Sequence, residues 1–257
     1  MRRTRVEFQT MAILVTRAHP DNAATAAGLR DRGFEPWLAP VLKFEPVPFR
    51  HDHDADYCGV IVTSVNAIRA VAPRLRELDL VDLPLFAVGE TTAAAAREAG
   101  FSEVIAAQGD AASLLETLLA SRERLSEEKG SLLYLAGVDF ARDLAPELRN
   151  AGFLLTTLTT YRMATVGHLP HKVCAGFAAQ EIDAVLHYSR RSAWAFIEAA
   201  RAEGVEISAL AIPQCCLSPN VAGVLREAGA AQVMVAAAPD EKSLFTTLER
   251  ALDARRG

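Results

Sequence analysis

The sequence predicts an α/β protein of two similar halves, each a parallel sheet flanked by helices. Three observations carry that expectation. Short β-branched and apolar runs alternate with Ala-, Leu- and Arg-rich helical stretches, the pattern of a parallel sheet covered on both faces. Segments of the first half recur in the second in the same order. The chain's 257 residues are enough for two domains with cores of their own.

The elements follow in order. Ile13-Leu14-Val15 is strand-like and leads into a helix from Ala23 to Arg32 that stops at Gly33. Val60-Ile61-Val62 passes through Thr63-Ser64 into a helix that fades at Pro73. Leu85 to Val88 ends at Gly89, and Thr91-Thr92 opens a helix that stops at Gly100. Asp110 begins another helix, and Ser121 to Gly130 is a charged helix end and loop. Later strands are expected at Leu132–Leu135, Leu154–Thr160, Val185–Tyr188, Leu210–Ile212 and Val233–Val235. The last helix repeats Leu244, Leu248 and Leu252 on one face behind an Asp240 N-cap.

The repeat is ordered. Arg30–Phe34 matches Arg149–Phe153 at an offset of 119, and Val62-Thr63-Ser64 matches His187-Tyr188-Ser189 at 125. Arg97–Gly100 matches Arg226–Gly229 at 129, and Leu114/Leu118 matches Leu244/Leu248 at 130. A steadily rising offset is what a duplication with small insertions leaves behind.

Composition removes several functions. Net charge is -5 with no basic block, so the cationic face that phosphate neutralisation requires is missing and nucleic acid is not an expected partner. Cys58, Cys174, Cys215 and Cys216 lack Cys-x-x-Cys spacing and clustered histidines. A disulfide scaffold or zinc site is not expected, and free thiols suit a reducing cytoplasm. The uncharged stretch Ile207–Leu225 approaches bilayer length but contains Pro213, Gln214, Ser218, Pro219 and Asn220; it reads as strand, loop and helix start, not a membrane span. The basic opening Met1–Arg5 is followed by no apolar leader, and residues 1–10 read as an extension outside the fold. Dinucleotide, P-loop, zinc-protease and serine-hydrolase fingerprints are absent from the sequence.

What remains is a set of hydroxyl-rich turns after strands: Thr16-Arg17, Thr63-Ser64-Val65-Asn66, Gly89-Glu90-Thr91-Thr92, Ser189-Arg190-Arg191-Ser192 and Ser218-Pro219-Asn220. Open parallel sheets bind ligands at strand carboxyl ends, where helix N-termini offer unpaired N–H groups to carboxylates. Taken singly, each such residue is more readily a simple N-cap. Five turns on two similar halves favour a polyanion held between domains. Arg17 is suited to clamping a carboxylate or to pairing with Asp21. Tyr161, after a threonine-rich strand, is either an amphipathic edge residue or a proton donor. His187 reads as a satisfied core histidine, and Trp37 and Trp194 as packing.

Taken together, Ile13–Arg17, Val62–Ala67, Phe86–Thr92, Leu133–Gly137, Thr160-Tyr161-Arg162 and Tyr188-Ser189 resemble the uroporphyrinogen-III synthase family from Ala12 to Leu252. The resemblance implies closure of linear hydroxymethylbilane to uroporphyrinogen III, with loss of water and inversion of ring D through a spiro intermediate. It implies no metal and no organic cofactor, a monomer in the cytoplasm, and no membrane partner. Tyr161 matches the family's candidate proton donor. Thr16, Arg17, Thr63, Ser64, Asn66, Gly89, Thr91, Thr92, Ser189, Ser192, Ser218 and Asn220 are then the substrate-binding candidates. The family's topology also implies one discontinuous domain of residues 1–45 and 165–257, a second of 46–164, and two extended crossovers. Three positions depart from the pattern. Ala136 stands where many relatives carry arginine, Ser218–Val221 replaces a Gly-Pro-Thr-Thr-like turn, and Arg190-Arg191 adds charge. The rival expectation is a non-catalytic two-lobed binding or sensor protein for an anionic small molecule.

Overall fold

The computed structural model describes residues 10–50, 55–127, 130–139 and 145–254. The chain opens with β1 (Ala12–Val15), α1 (Asp21–Arg30), β2 (Glu35–Leu38) and β3 (Leu42–Pro46). It continues through β4 (Tyr57–Val62), α2 (Val65–Val71), β5 (Leu85–Ala87), α3 (Glu90–Ala99) and β6 (Val104–Ala106). Next come α4 (Ala111–Ala120), α5 (Arg122–Glu127), β7 (Ser131–Gly137), α6 (Ala145–Asn150) and β8 (Leu155–Thr165). The last third holds α7 (His171–Ala178), β9 (Ile182–His187), α8 (Arg190–Ala202) and α9 (Glu206–Ala211). It ends with β10 (Gln214–Cys216), α10 (Pro219–Glu227), β11 (Val233–Val235) and α11 (Glu241–Asp253).

Two units result. The first comprises Met1–Lys43 and Ala164–Gly257, the second Phe44–Met163. The first holds a five-stranded sheet in the order β11-β10-β9-β1-β2; the other sheet runs β3-β8-β7-β4-β5-β6. From β2 to β11 and from β8 to β6 the recorded pairs are all parallel. The chain passes between units within β3 and within β8. These strands run antiparallel: the Val47 N–H donates to the Thr160 carbonyl at 2.8 Å, and the Val166 N–H to that of Val41 at 3.0 Å.

Burial explains the strands. Every residue of β1 is buried, and so are Val60 to Val62 of β4, as a central strand covered on both faces requires. In the second unit Val60, Val62, Leu133 and Leu135 pack with Ala67, Ile68 and Ala96. Ile61, Leu132 and Tyr134 point to the other face with Leu114, Leu118 and Leu148. The first unit packs Ile13, Val15, Ala184 and Leu186 against Leu244, Leu248 and Leu252 of α11.

The repeated helix ends share one geometry. Gly100 closes α3 with φ 107, while the Phe101 N–H reaches back to the Ala96 carbonyl at 3.2 Å. The same bond runs from Phe34 to Leu29, Phe153 to Leu148 and Ala230 to Leu225, which is the Schellman closure that glycine permits.

One expected strand is corrected. Leu210 and Ala211 belong to α9, and the strand lies beyond Pro213 at Gln214–Cys216. Proline cannot donate the N–H that would prolong the helix, and the two cysteines pack as small apolar residues. The Gln214 side chain is satisfied inside, its Nε2 donating to the carbonyls of Ala209 at 2.7 Å and Ile212 at 2.9 Å. The charged stretch after Ser121 also forms a helix, α5.

Candidate active site

In the second unit, parallel strands bring Tyr161, Thr63 and Gly89 to one sheet edge. Tyr161 pairs with Gly137 where the β7–β8 register shifts, and its carbonyl accepts from the Val138 N–H at 2.8 Å. The ring stacks on Phe44, with centroids 5.9 Å apart. The Gly137 backbone is also close, so close that a Cβ there would lie 2.8 Å from Tyr161 Cζ and 3.1 Å from its hydroxyl oxygen. That hydroxyl makes no hydrogen bond to another described residue.

The neighbouring turns are partly committed. Thr63 Oγ1 hydrogen-bonds the Tyr134 hydroxyl at 3.1 Å. Ser64 caps α2 by accepting from the Asn66 N–H at 3.2 Å. Asn66 itself donates to the Met163 sulfur at 3.4 Å and accepts from Arg69 at 2.9 Å. Gly89 is the N-cap of α3 without a side-chain cap, and a Cβ on it would crowd Gly109 Cα at 3.2 Å. Thr91 is exposed in the first turn of α3 and Thr92 is buried beneath it. Ala136 is buried on one apolar face of β7.

The first unit has its own edge, formed by the ends of β1, β9 and β10. Arg17 follows β1 and lies 3.6 Å from Asp21 and 3.4 Å from Glu241. Its guanidinium also sits over the Tyr188 ring, 4.6 Å from the centroid. Burial raises the Tyr188 phenol above the ordinary tyrosine range, which keeps its O–H a donor. Ser189 and Ser192 form a reciprocal capping box on α8, the Ser192 N–H donating to Ser189 Oγ at 3.0 Å. Ser218 begins α10 with no side-chain cap bond, and Asn220 is exposed beside it.

Two candidates are corrected. Thr16 is fully buried and donates to the Leu186 carbonyl at 2.9 Å, so its hydroxyl ties β1 to β9 and is closed to a ligand. Ser192 is buried with its hydroxyl spent on the capping box. Two weaker readings also change. Trp194 is 55% exposed on α8 and is no core residue. His187 is only half satisfied: Nε2 meets Gln214 Oε1 at 2.8 Å, while Nδ1 is buried without a partner. Sequence reasoning missed Gly137, which shapes the Tyr161 setting, and Glu241, on which Arg17, Thr25 and Tyr188 converge. Gly137 stood in plain view after a strand; Glu241 carried no local signal.

The chemistry available is a phenol beside the end of β7, with hydroxyls, backbone N–H groups at helix starts and one arginine suited to carboxylates. No helix among the described residues is long and apolar enough to cross a membrane. A family model described as uroporphyrinogen-III synthase HemD matches residues 23–246. Uroporphyrinogen-III synthetase from Helicobacter pylori 26695 is similar in fold, with a TM-score of 0.65 at 18% identity over 96% of this chain and 100% of that one. A mutant uroporphyrinogen III synthase from the extremely thermophilic bacterium Thermus thermophilus gives 0.56 at 19% identity over 95% and 100%. No curated protein matches the chain significantly by sequence.

Proposed function

The chain belongs to the uroporphyrinogen-III synthase family, and from that premise we propose how its own residues carry the conversion of hydroxymethylbilane to uroporphyrinogen III. The reaction removes one water. The terminal C–O bond breaks as the hydroxyl takes a proton, and the pyrrole nitrogen's electrons form an azafulvene. Its exocyclic carbon bonds to the substituted carbon of ring D, giving a spiro-pyrrolenine that fragments and recloses with ring D inverted. Loss of a ring-carbon proton restores aromaticity and balances the proton given to the leaving water.

Tyr161 supplies that first proton. The observation that carries this is its placement: a phenol within β8 where that strand passes the carboxyl end of β7, stacked on Phe44 and close against Gly137, with its O–H uncommitted to other described residues. A ring packed against Phe44 and the Gly137 backbone holds its hydroxyl at a fixed place, which is what general acid catalysis needs. Thr63, Ser64, Asn66, Gly89, Thr91, Ser189, Ser218, Asn220 and Arg17 are the carboxylate contacts in this reading, through hydroxyls, backbone N–H groups and one cation. The enzyme acts as a cytoplasmic monomer; the free cysteines support a reducing compartment.

The test supplies enzymatically generated hydroxymethylbilane and separates the oxidised products by chromatography. The type III isomer is expected, and only the spontaneous type I isomer would overturn the reading. Tyr161→Phe is expected to lower kcat by about a hundredfold, the scale of a lost general acid, with its circular dichroism unchanged. Wild-type turnover in that variant removes Tyr161 from the chemistry.

A further inference from the structure

Three residues, Arg17, Thr25 and Tyr188, meet around a single oxygen of Glu241 at the carboxyl edge of the first unit's sheet. Glu241 Oε1 accepts from the Tyr188 hydroxyl at 2.8 Å and from the Thr25 hydroxyl at 2.5 Å. Arg17 reaches the same oxygen only at 3.4 Å, and Asp21 only at 3.6 Å. A guanidinium fully committed to a carboxylate makes two short parallel bonds, and neither contact is of that kind. Arg17 has two carboxylates beside it and makes a short bidentate pair with neither. The hydroxyls hold the Glu241 oxygen, and the Tyr188 ring supports the guanidinium at 4.6 Å, within cation–π range. A third of the Arg17 side chain stays open to solvent.

We propose that Tyr188 is a positioning residue for substrate binding: by donating to Glu241 and lying beneath Arg17, it keeps the guanidinium loosely held for a carboxylate of the bound tetrapyrrole. The inference rests on the reading of Arg17 as a substrate contact. Its logic is competition. A substrate carboxylate must displace whatever the arginine already holds, and a tight bidentate pair resists displacement where a loose one does not. Removing the Tyr188 hydroxyl while keeping its ring frees a lone pair of Glu241, and Arg17 closes on it.

Steady-state kinetics with hydroxymethylbilane separates the cases. Arg17→Gln is expected to raise KM about tenfold, as loss of a charge-assisted bond does. Tyr188→Phe is expected to raise KM about threefold or more with kcat nearly kept, the signature of weakened uniform binding. Glu241→Gln alone leaves KM at or below the wild-type value, because it removes the nearer of the two competing carboxylates. The double variant Tyr188→Phe/Glu241→Gln brings KM back towards wild type, whereas a merely structural role makes the double variant at least as impaired as Tyr188→Phe. An unchanged KM in Arg17→Gln overturns the substrate-contact reading itself. A raised KM there, combined with no change in Tyr188→Phe or no rescue in the double variant, overturns only the positioning role. Should Tyr188→Phe not fold, Glu241→Gln decides: a raised KM overturns the proposal, and an equal or lower one supports it.

Discussion

Gly137 and His187 show how single atoms set what their neighbours can do. A methyl at Gly137 would fall 2.8 Å from Tyr161 Cζ, inside van der Waals contact, so the ring must shift from its place. Gly137→Ala is therefore expected to lower kcat, and adding Tyr161→Phe to it should cost little more, because both changes remove one function. Additive losses in stopped turnover assays would show that Gly137 acts elsewhere. His187 presents a different constraint. Gln214 Nε2 is spent on the Ala209 and Ile212 carbonyls, so its oxygen faces His187 and assigns the imidazole proton to Nε2. Burial lowers the His187 pKa from 6.5 to about 4. A folded-state value below the unfolded one means that protons favour the unfolded chain. Stability from this residue is then complete above pH 6.5 and is lost as pH falls towards 4. Urea unfolding at pH 5 is expected to show about 2 kcal/mol less stability from this group than at pH 7. His187→Gln should remove that part of the pH dependence; an equal slope in the variant would place its origin in other groups.

Helix ends are where local chemistry speaks loudest, and there the sequence was most readable. Asp110, Ser189 and Asp240 each accept from the backbone N–H three residues on, and the glycine stops close four helices. Replacing Asp240 by Ala should lower stability by about 1 kcal/mol, seen as a fall in Tm; an unchanged Tm would mean that packing alone holds α11. Strands without a local signature were harder to see. Gln214-Cys215-Cys216 forms a core strand only because β9 and β11 flank it, while Leu210–Ile212 had the more apolar run. β2 contains Pro36, which argues against a strand until its place at the sheet edge is known. The same limit applied to the site. Arg17 and the hydroxyl turns were legible from their positions after strands, whereas Tyr161, expected just beyond a strand ending at Thr160, lies inside β8, which continues to Thr165. Whether Thr16 and Ser192 aim at ligand or at their own backbone was not, because a hydroxyl's partner is fixed by tertiary neighbours. The meeting of Thr25, Tyr188 and Glu241 joins positions up to 216 residues apart, and no spacing rule reaches that far.

At the scale of the whole chain, the sequence repeat and the strand order explain each other. The order β2-β1-β9-β10-β11 in one unit corresponds to β8-β7-β4-β5-β6 in the other. Under that correspondence α1 matches α6, and β4 matches β9, which are the same pairs that the sequence offsets join. Each unit therefore takes its β-α-β start from one copy of the repeat and its remaining strands from the other copy. The exchange happens through β3 and β8, which run side by side, with Val41 bonded to Val166. Lys43 and Ala164, where the unit boundary falls, are therefore opposite one another on an antiparallel ribbon, the geometry that a two-residue Asn-Gly turn closes. Residues 44–163 expressed alone, and residues 1–43 joined by Asn-Gly to 164–257, are each expected to fold around the cores described above. Each should show a single cooperative urea transition by circular dichroism. A piece that stays unfolded until the other is added would mean that its core is completed by the partner piece, and that the exchange of strands between copies left two units that cannot stand apart.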